Sequence, residues 1–329
     1  MTQEINVEQL EKEFYSKPFS LSYSGLSKMM YSPQLYYRHY VLQQKEDKLD
    51  SYLVDGKVIH CLLLDNGSFD DQFILMPADL PTGNTRLVVD MLFARSKEGT
   101  ISDNTQHIID ILKEINLHQS LKTDEQRVAK IVSDETVLYF EFLKLKGEKT
   151  ILDKETLDRC NQAVDILRSN ANVYFLLGLD VNEFDNIVVH NEIKLNCETR
   201  YVCGLHGVID NIKIDHDNKK IIINDLKTSG KTLSEFTETV EYYSYWAQAA
   251  IYWKLVHENY KNLIDQKYTV EFNFVVIDKY NQVYAFPVTA LTMMSWCARL
   301  EEQLIHAEWY YKNKSFTLPY LFAIGGVTL

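Results

Sequence analysis

Basic charge is in short supply in this chain: 34 Lys and Arg stand against 46 Asp and Glu, a formal net charge of −12 at pH 7. Coating a nucleic acid by charge alone needs clustered Lys and Arg to neutralise phosphates, so the balance counts against a protein of that kind. It does not count against an enzyme that holds metal ions through carboxylates, whose ligands are themselves anionic. Long apolar runs are also missing, and none approaches the ~18 residues of a membrane span. The opening MTQEINVEQLEKEF has neither the basic start nor the apolar core of a secretory leader. The expectation is a cytoplasmic protein with no membrane partner. Cysteine is sparse and scattered (Cys61, Cys160, Cys197, Cys203, Cys297) with no CxxC pair, which argues against a disulfide framework and for reduced, mostly buried thiols.

What is present is ordinary globular composition, 46% hydrophobic and 24% charged over 329 residues, with no internal repeat and no low-complexity tract. That length allows one elaborated domain or two. LSYSGLSKMMYSPQLYYRHYV reads as a helix capped by Ser22 or Ser24, interrupted before Pro33 and restarted after Ser32. VDGKVIHCLLL, residues 54 to 64, is a short apolar run whose periodicity does not choose between helix and strand. The stretch from about Leu80 to Arg95 reads as a surface loop because Pro, Gly, Thr and Asn cluster in LPTGNTR. From about Asp103 to Leu177 the chain reads as mostly helical, with Asp153 as a cap and Leu157, Cys160, Val164 and Leu167 on one face.

Then the pattern changes. NIVVHNEIKL, YVCGLHGVIDNIKI and KKIIINDLKT are rich in β-branched residues, and the turn-forming DHDN joins the last two as a hairpin. A long helix from about Ser234 to Tyr260, strands VEFNFVVID and QVYAFPV, and a closing helix around MSWCARLEEQLIHAEWYY complete the order. A β-β-β-α-β-β series with helices on either side implies an α/β fold: a mixed central sheet flanked by helices.

Side chains alternate along a strand, so Asp225 and Lys227 leave IIINDLK on the face that carries Ile221 and Ile223. Asp210, in GVID on the partner strand, can present its carboxylate toward the same pocket. Two aspartates beside a lysine suit a hard cation such as Mg²⁺, which uses one or two carboxylates plus waters and substrate phosphate. The lysine can orient or help deprotonate a water and offset charge on a phosphate. Glu192, in NEIKL, is a further carboxylate. Gln248 and Tyr252 lie four residues apart on one helix face, where either can position a water or a phosphate oxygen.

GLHGVID, a hairpin, IIINDLKTS and then WAQAAIYW, in that order, resemble the motif series of RecE-type (exonuclease VIII) members of the PD-(D/E)xK nucleases, similar in fold to phage lambda exonuclease. LSYSGLSKMMYSPQLYY, the Gly-x-x-x-His segment in DGKVIHCLLLD and ILDKETLDRCNQAVDILRSN agree with it, so the resemblance runs from Leu21 to Tyr260. It implies that Asp210, Asp225 and the Leu226 backbone carbonyl bind metal, that Lys227 supports the nucleophilic water, that His60 and Glu192 line the metal site, and that Gln248 and Tyr252 complete it. The implied domain is a single elaborated nuclease domain over 1–329. Within it, 1–185 is a mostly helical N-terminal part, 186–290 holds the catalytic sheet and the Gln/Tyr helix, and 291–329 is a closing helix and tail. The implied activity is Mg²⁺-dependent exonuclease action on double-stranded DNA ends, 5′ to 3′, with Mn²⁺ as a substitute. Implied partners are a RecT-like single-strand annealing protein and further copies of the chain in a ring trimer or tetramer, consistent with a phage or prophage origin. Arg38, Lys28 and Arg86 are candidates for gripping a 5′ phosphate.

Competing readings are weaker. Asp225 and Lys227 alone would more often be a structural ion pair, and His60 alone a satisfied core histidine. TSGKT lacks the Gly that a phosphate loop needs at position 225, and Cys197, Cys203 and His206 do not complete a four-ligand zinc site. An iron-sulfur cluster finds no set of four suitably placed cysteines. A structure-specific or restriction-type endonuclease, or an inactive DNA-binding relative, are the alternative functions.

Overall fold

The computed structural model describes residues 6–44, 51–182 and 186–328; the first five residues of the polar opening lie outside them. The described strands are β1 (Ser20–Leu21), β2 (Phe73–Leu75), β3 (Thr150–Leu152), β4 (Ile187–Cys197), β5 (Gly204–Asp215), β6 (Lys220–Ser229), β7 (Thr269–Asp278) and β8 (Val283–Val288). The chain separates into two compact units, one of Met1–Asp65 with Ala163–Leu329 and one of Asn66–Gln162.

The larger unit is built on a six-stranded mixed sheet. β5 and β6 form the expected antiparallel hairpin, β7 joins β6 in parallel after a helical crossover, and β8 closes the edge antiparallel to β7. β4 runs along the other edge of β5, pairing Cys197 with Leu205, while β1 pairs Leu21 with the same Leu205. A residue has only two strand edges, so β1 occupies the edge that β6 uses further along. β6 pairs only with residues 211–215 of β5, which leaves a gap on that edge between Leu205 and Asn211.

One face of the sheet carries Ile212, Ile214, Ile221, Ile223, Phe272 and Phe274 in a core shared with Ala247, Ile251 and Leu255 of the helix Tyr245–Asn259 and with Leu300 and Leu304 of the helix Ala290–Asn313. Each fully buried aliphatic or aromatic side chain there contributes on the order of 1.5–3 kcal/mol. Gly207 lets the helix come close: a Cβ at this position would stand 2.9 Å from Tyr252 and 3.3 Å from Leu255.

A polar row crosses the sheet. Asn191, Asn211, Asn224 and Asn273 are register partners on four adjacent strands. Each amide donates to the next, Asn211 to Asn191 and Asn224 to Asn211 at 2.8 Å, and Asn273 to Asn224 at 3.1 Å. The remaining donors take backbone carbonyls: Asn191 that of Leu64, Asn211 that of Leu177 and Asn224 that of Leu176. Buried amides are tolerated because each has a partner, and the row fastens two helix ends to the sheet.

The smaller unit packs the helices Gly83–Arg95, Thr105–Glu114 and Asp134–Lys146 around Val88, Leu92, Ile108, Ile111 and Phe140, with a parallel β2–β3 pair.

Most elements match the expectations. Ser22 and Ser32 cap their helices, Asp153 accepts from Thr156 N–H at 2.7 Å, and the 54–64 run resolves as part of the helix Ser51–Leu64. Two expectations fail. The stretch from Leu80 to Arg95 is not a loop beyond Thr82: a helix starts at Gly83, and Val88, Val89 and Leu92 bury its apolar face. The single helix from Ser234 to Tyr260 is broken into Phe236–Tyr242 and Tyr245–Asn259 at Ser244, whose φ of 57° is left-handed; the Tyr23 hydroxyl donates to the Tyr243 carbonyl at 2.6 Å beside the break.

Candidate active site

The site forms where β5 and β6 part. Register places Asp210 across from Asp225, one step past the last paired residues, Asn211 and Asn224. The lost ladder bonds are replaced by side chains: Asp210 Oδ2 accepts from Leu226 N–H at 2.7 Å, and His60 Nε2 donates to the Leu226 carbonyl at 2.9 Å. The carbonyl proposed as a metal ligand thus has a hydrogen bond from the proposed neighbouring ligand, and keeps a second lone pair. Because Nε2 carries the donated proton, Nδ1 is the nitrogen turned to the carboxylates, 3.7 Å from Glu192 Oε1 and 3.7 Å from Asp210 Oδ2.

His60 reaches this point from the helix Ser51–Leu64 because Gly56, one turn earlier, lets the helix lie against β6; a Cβ there would stand 3.0 Å from Thr228 Oγ1. The spacing of the Gly-x-x-x-His segment thereby acquires a packing reason. Glu192 completes the row. It lies in β4 across from Asp210, between the pairs Asn191 with Asn211 and Ile193 with Ile209, yet its φ is 48°. A left-handed glutamate inside a strand is strained, and such strain persists where surrounding structure holds it.

Asp225 is fully buried and forms an ion pair with Lys227, while its Oδ1 has no hydrogen-bond partner. Burial pushes the Asp225 carboxyl above the usual carboxylate range, against the pull of the Lys227 ammonium. For Lys227, burial opposes the charge, but the Asp225 and Asp210 carboxylates outweigh it and hold the ammonium protonated. His60 behaves likewise: burial disfavours its cation, and Asp210 and Glu192 raise its pKa above the ordinary value. Beside these bare carboxylates the lysine is thus a positive charge in the site.

Gln248 and Tyr252 occupy one face of their helix as expected, and they engage each other. Tyr252 donates to the Val208 carbonyl at 2.6 Å and accepts from Gln248 Nε2 at 2.9 Å, which leaves the buried Gln248 Oε1 without a partner. Burial, then Asp210 and Asp225, push the Tyr252 phenol well above its usual pKa, so it stays a neutral donor. A cavity of about 500 Å³ opens beside Tyr252, lined in part by Ser22, Ser24, Lys194 and His206.

The donor set fits a divalent cation. His60, Glu192 and Asp210 offer ligand atoms all within 4.8 Å of one another, the one such cluster found among the described residues, and the orphaned Oδ1 of Asp225 is a further acceptor. Oxygen-rich donor sets suit Mg²⁺ and Mn²⁺, and the imidazole leans toward Mn²⁺. Cys197, Cys203 and His206 form no such group among the described residues.

The phosphate-gripping candidates lie on different elements. Lys28 lies 5.9 Å from the Tyr40 ring, Arg38 sits in the short π-helix Tyr37–Val41, and Arg86 belongs to the smaller unit, 3.8 Å from Asp90 and over Tyr139. Sequence reasoning missed Tyr245, whose ring lies 4.9 Å from Lys227 Nζ. Its signal was present: Tyr245, Gln248 and Tyr252 fall at i, i+3 and i+7, so the face extends one turn back.

Residues 20–288 match the family model of the PD-(D/E)XK nuclease superfamily. No curated protein sequence matches the chain. Among solved structures it is similar to a candidate exonuclease from Eubacterium rectale, with a TM-score of 0.50 and 12% identity over 95% of this chain and 87% of that one. At that identity the likeness is one of fold.

Proposed function

The chain belongs to the PD-(D/E)XK nuclease superfamily, and from that premise we propose that it is a metal-dependent exodeoxyribonuclease acting on linear double-stranded DNA. The observation that carries the reading is the row Glu192–Asp210–Asp225 across three strands, with His60 Nδ1 3.7 Å from the first two carboxylates and Lys227 paired to the third. Asp210, Glu192 and Nδ1 of His60 would hold the cation, with Asp225 and the Leu226 carbonyl as added oxygen donors. When bound, a divalent cation draws charge from the scissile phosphate and acidifies the attacking water.

The chain's own groups do the rest. The Lys227 ammonium offsets negative charge that builds on the phosphate oxygens, and in a buried setting that is worth far more than in water. Gln248 Oε1 is an acceptor for a water's hydrogen, aimed by the bond its own amide makes to Tyr252. Tyr252 pins this helix to β5 through Val208.

Mg²⁺ is the proposed cofactor, with Mn²⁺ able to replace it. The RecE-type motif order supports 5′ to 3′ digestion that leaves single strands for a RecT-like annealing partner in the cytoplasm, and a ring of three or four subunits around the duplex. A closed ring keeps such an enzyme on its track.

The test is digestion of linear duplex DNA labelled at the 5′ or the 3′ end, with Mg²⁺ or EDTA, beside a covalently closed circle and the Asp225→Ala variant. Early Mg²⁺-dependent release of the 5′ label, an intact circle and an inert variant are expected. Cutting of the closed circle would replace the exonuclease with an endonuclease, and failure of wild type to cut any DNA would leave a binding protein.

A further inference from the structure

At the break between the helices Phe236–Tyr242 and Tyr245–Asn259 the chain exposes large aromatic side chains that normally seek burial: Tyr242 is 75% exposed and Tyr243 43%. Their rings pack edge to face at 4.8 Å, and Tyr243 stacks on Tyr245 at 5.5 Å. The Tyr245 ring in turn lies 4.9 Å from Lys227 Nζ. Aromatic rings thus run in contact from the candidate active-site cation to solvent, with Tyr245 and Tyr243 stacked and Tyr242 edge-on at the exposed end.

The turn that presents them is held in place. Ser244 takes its left-handed backbone, and the Tyr23 hydroxyl donates to the Tyr243 carbonyl. Charges of both signs flank the series: exposed Glu238 lies one helical turn before Tyr242, set against two cations. Lys231 Nζ stands 5.5 Å from the Tyr242 ring, and the neighbouring carboxylate of Glu241 is neutralised by a two-pronged pair with Arg299 at 2.9 Å.

We propose that Tyr242, Tyr243 and Lys231 form a stacking platform for unpaired bases of the DNA strand whose phosphate reaches Lys227. The proposal rests on the nuclease reading and deepens it by naming the form of the substrate. Every base has a π face, so stacking on tyrosine is strong and sequence-tolerant, while an ammonium alongside meets the backbone phosphate. Bases inside a duplex are already stacked on one another and have no free face to offer. Exposed tyrosines also suit a protein partner, but a run of rings that ends on the buried Lys227 ammonium favours a polyanion that carries π faces of its own.

The test is fluorescence anisotropy of the full chain with a labelled oligothymidylate and with a labelled blunt duplex, both in EDTA to prevent cutting. In the Tyr242→Ala/Tyr243→Ala variant we expect oligothymidylate affinity to fall by about tenfold or more, with duplex affinity within about twofold of wild type. The Tyr242→Phe/Tyr243→Phe variant keeps wild-type affinity, because the ring and not the hydroxyl carries the contact. Should the double alanine variant fail to fold, Tyr242→Ala alone supplies the same comparison, its ring being mostly in solvent. Unchanged oligothymidylate binding in the alanine variant overturns the platform, as does equal loss for single strand and duplex, or a phenylalanine variant as weak as alanine. A wild-type chain that cuts and binds DNA while the variants match it loses only the platform; one that neither cuts nor binds DNA loses the nuclease reading as well.

Discussion

Glu192 and Asp210 stand across from each other on β4 and β5, and Nδ1 of His60 lies 3.7 Å from a carboxylate oxygen of each. Two acids converging on one point repel unless a cation lies between them, and Asp225 adds a third carboxylate in the next strand. The fold therefore gathers three carboxylates, offset in part by Lys227 and His60, inside a unit that is otherwise tightly packed, and the first consequence is thermodynamic.

Divalent ions should stabilise the chain. At a concentration about a hundredfold above the dissociation constant, a ligand that binds only the folded state adds about 2.7 kcal/mol. Thermal melting is expected to shift upward by several degrees with Mn²⁺, by less with Mg²⁺, and back with EDTA. In His60→Ala the advantage of Mn²⁺ over Mg²⁺ should shrink, since the imidazole is the donor that favours Mn²⁺. Equal responses of the variant and wild type to Mn²⁺ would remove His60 from the ligand set.

Glu192 trades stability for position. Asparagine accepts a left-handed backbone more readily than glutamate and brings no charge. Glu192→Asn should therefore melt at or slightly above the wild-type temperature in EDTA, a gain of up to about 1 kcal/mol, and lose most of the Mn²⁺ response and of the turnover. A loss of stability larger than about 1 kcal/mol would mean that the carboxylate supports the fold and not the ion.

Lys227 and Asp225 should behave as a coupled pair. Removing one member of a buried ion pair strands the other and costs about 3–5 kcal/mol, so Lys227→Met is expected to be severely destabilised. Adding Asp225→Asn should recover a large part of that stability while leaving the chain inactive. Chemical denaturation of the two single variants and the double variant measures the coupling, and additive losses would contradict it.

Gly207 should prove intolerant of a methyl group. The added Cβ would press on Tyr252 and Leu255 and force the helix Tyr245–Asn259 away from β5, at a cost of about 1–3 kcal/mol. Because Tyr252 moves, kcat for DNA digestion should fall as well. Gly230→Ala is the control, since no atom lies within 4 Å of a Cβ there, and both its stability and its activity should match wild type.

How much of this could be read from residues alone divides along a physical line. The hairpin that carries Asp210 and Asp225 was legible because β-branched runs flank a turn-forming DHDN, which are local signals. The mixed sheet followed from the order of such runs. The order of motifs also brought His60 and Glu192 to the site, although neither spacing nor periodicity could say that a left-handed residue at 192 puts its carboxylate beside the imidazole. Backbone strain of that kind is set by neighbouring strands and leaves no local mark on a glutamate. The same applies to Ser244, where a helical pattern that runs unbroken from residue 234 is overruled by a contact from Tyr23, more than two hundred positions away. The asparagine row was invisible for a different reason: its four members lie on separate strands, and only the register aligns them. The helix at 83–95 was missed because Pro, Gly, Thr and Asn mark helix entries as well as loops.

That row has a temporal meaning as well. Its members come from positions 191, 211, 224 and 273, and it also grips the carbonyls at 64, 176 and 177. During synthesis the strand bearing Asn273 is the last of these to leave the ribosome, so the strands flanking the acidic residues gain their full support only once it has emerged. A chain that has not yet reached residue 273 would lack the last amide of the row, and with it the strand that braces Asn224 beside Asp225.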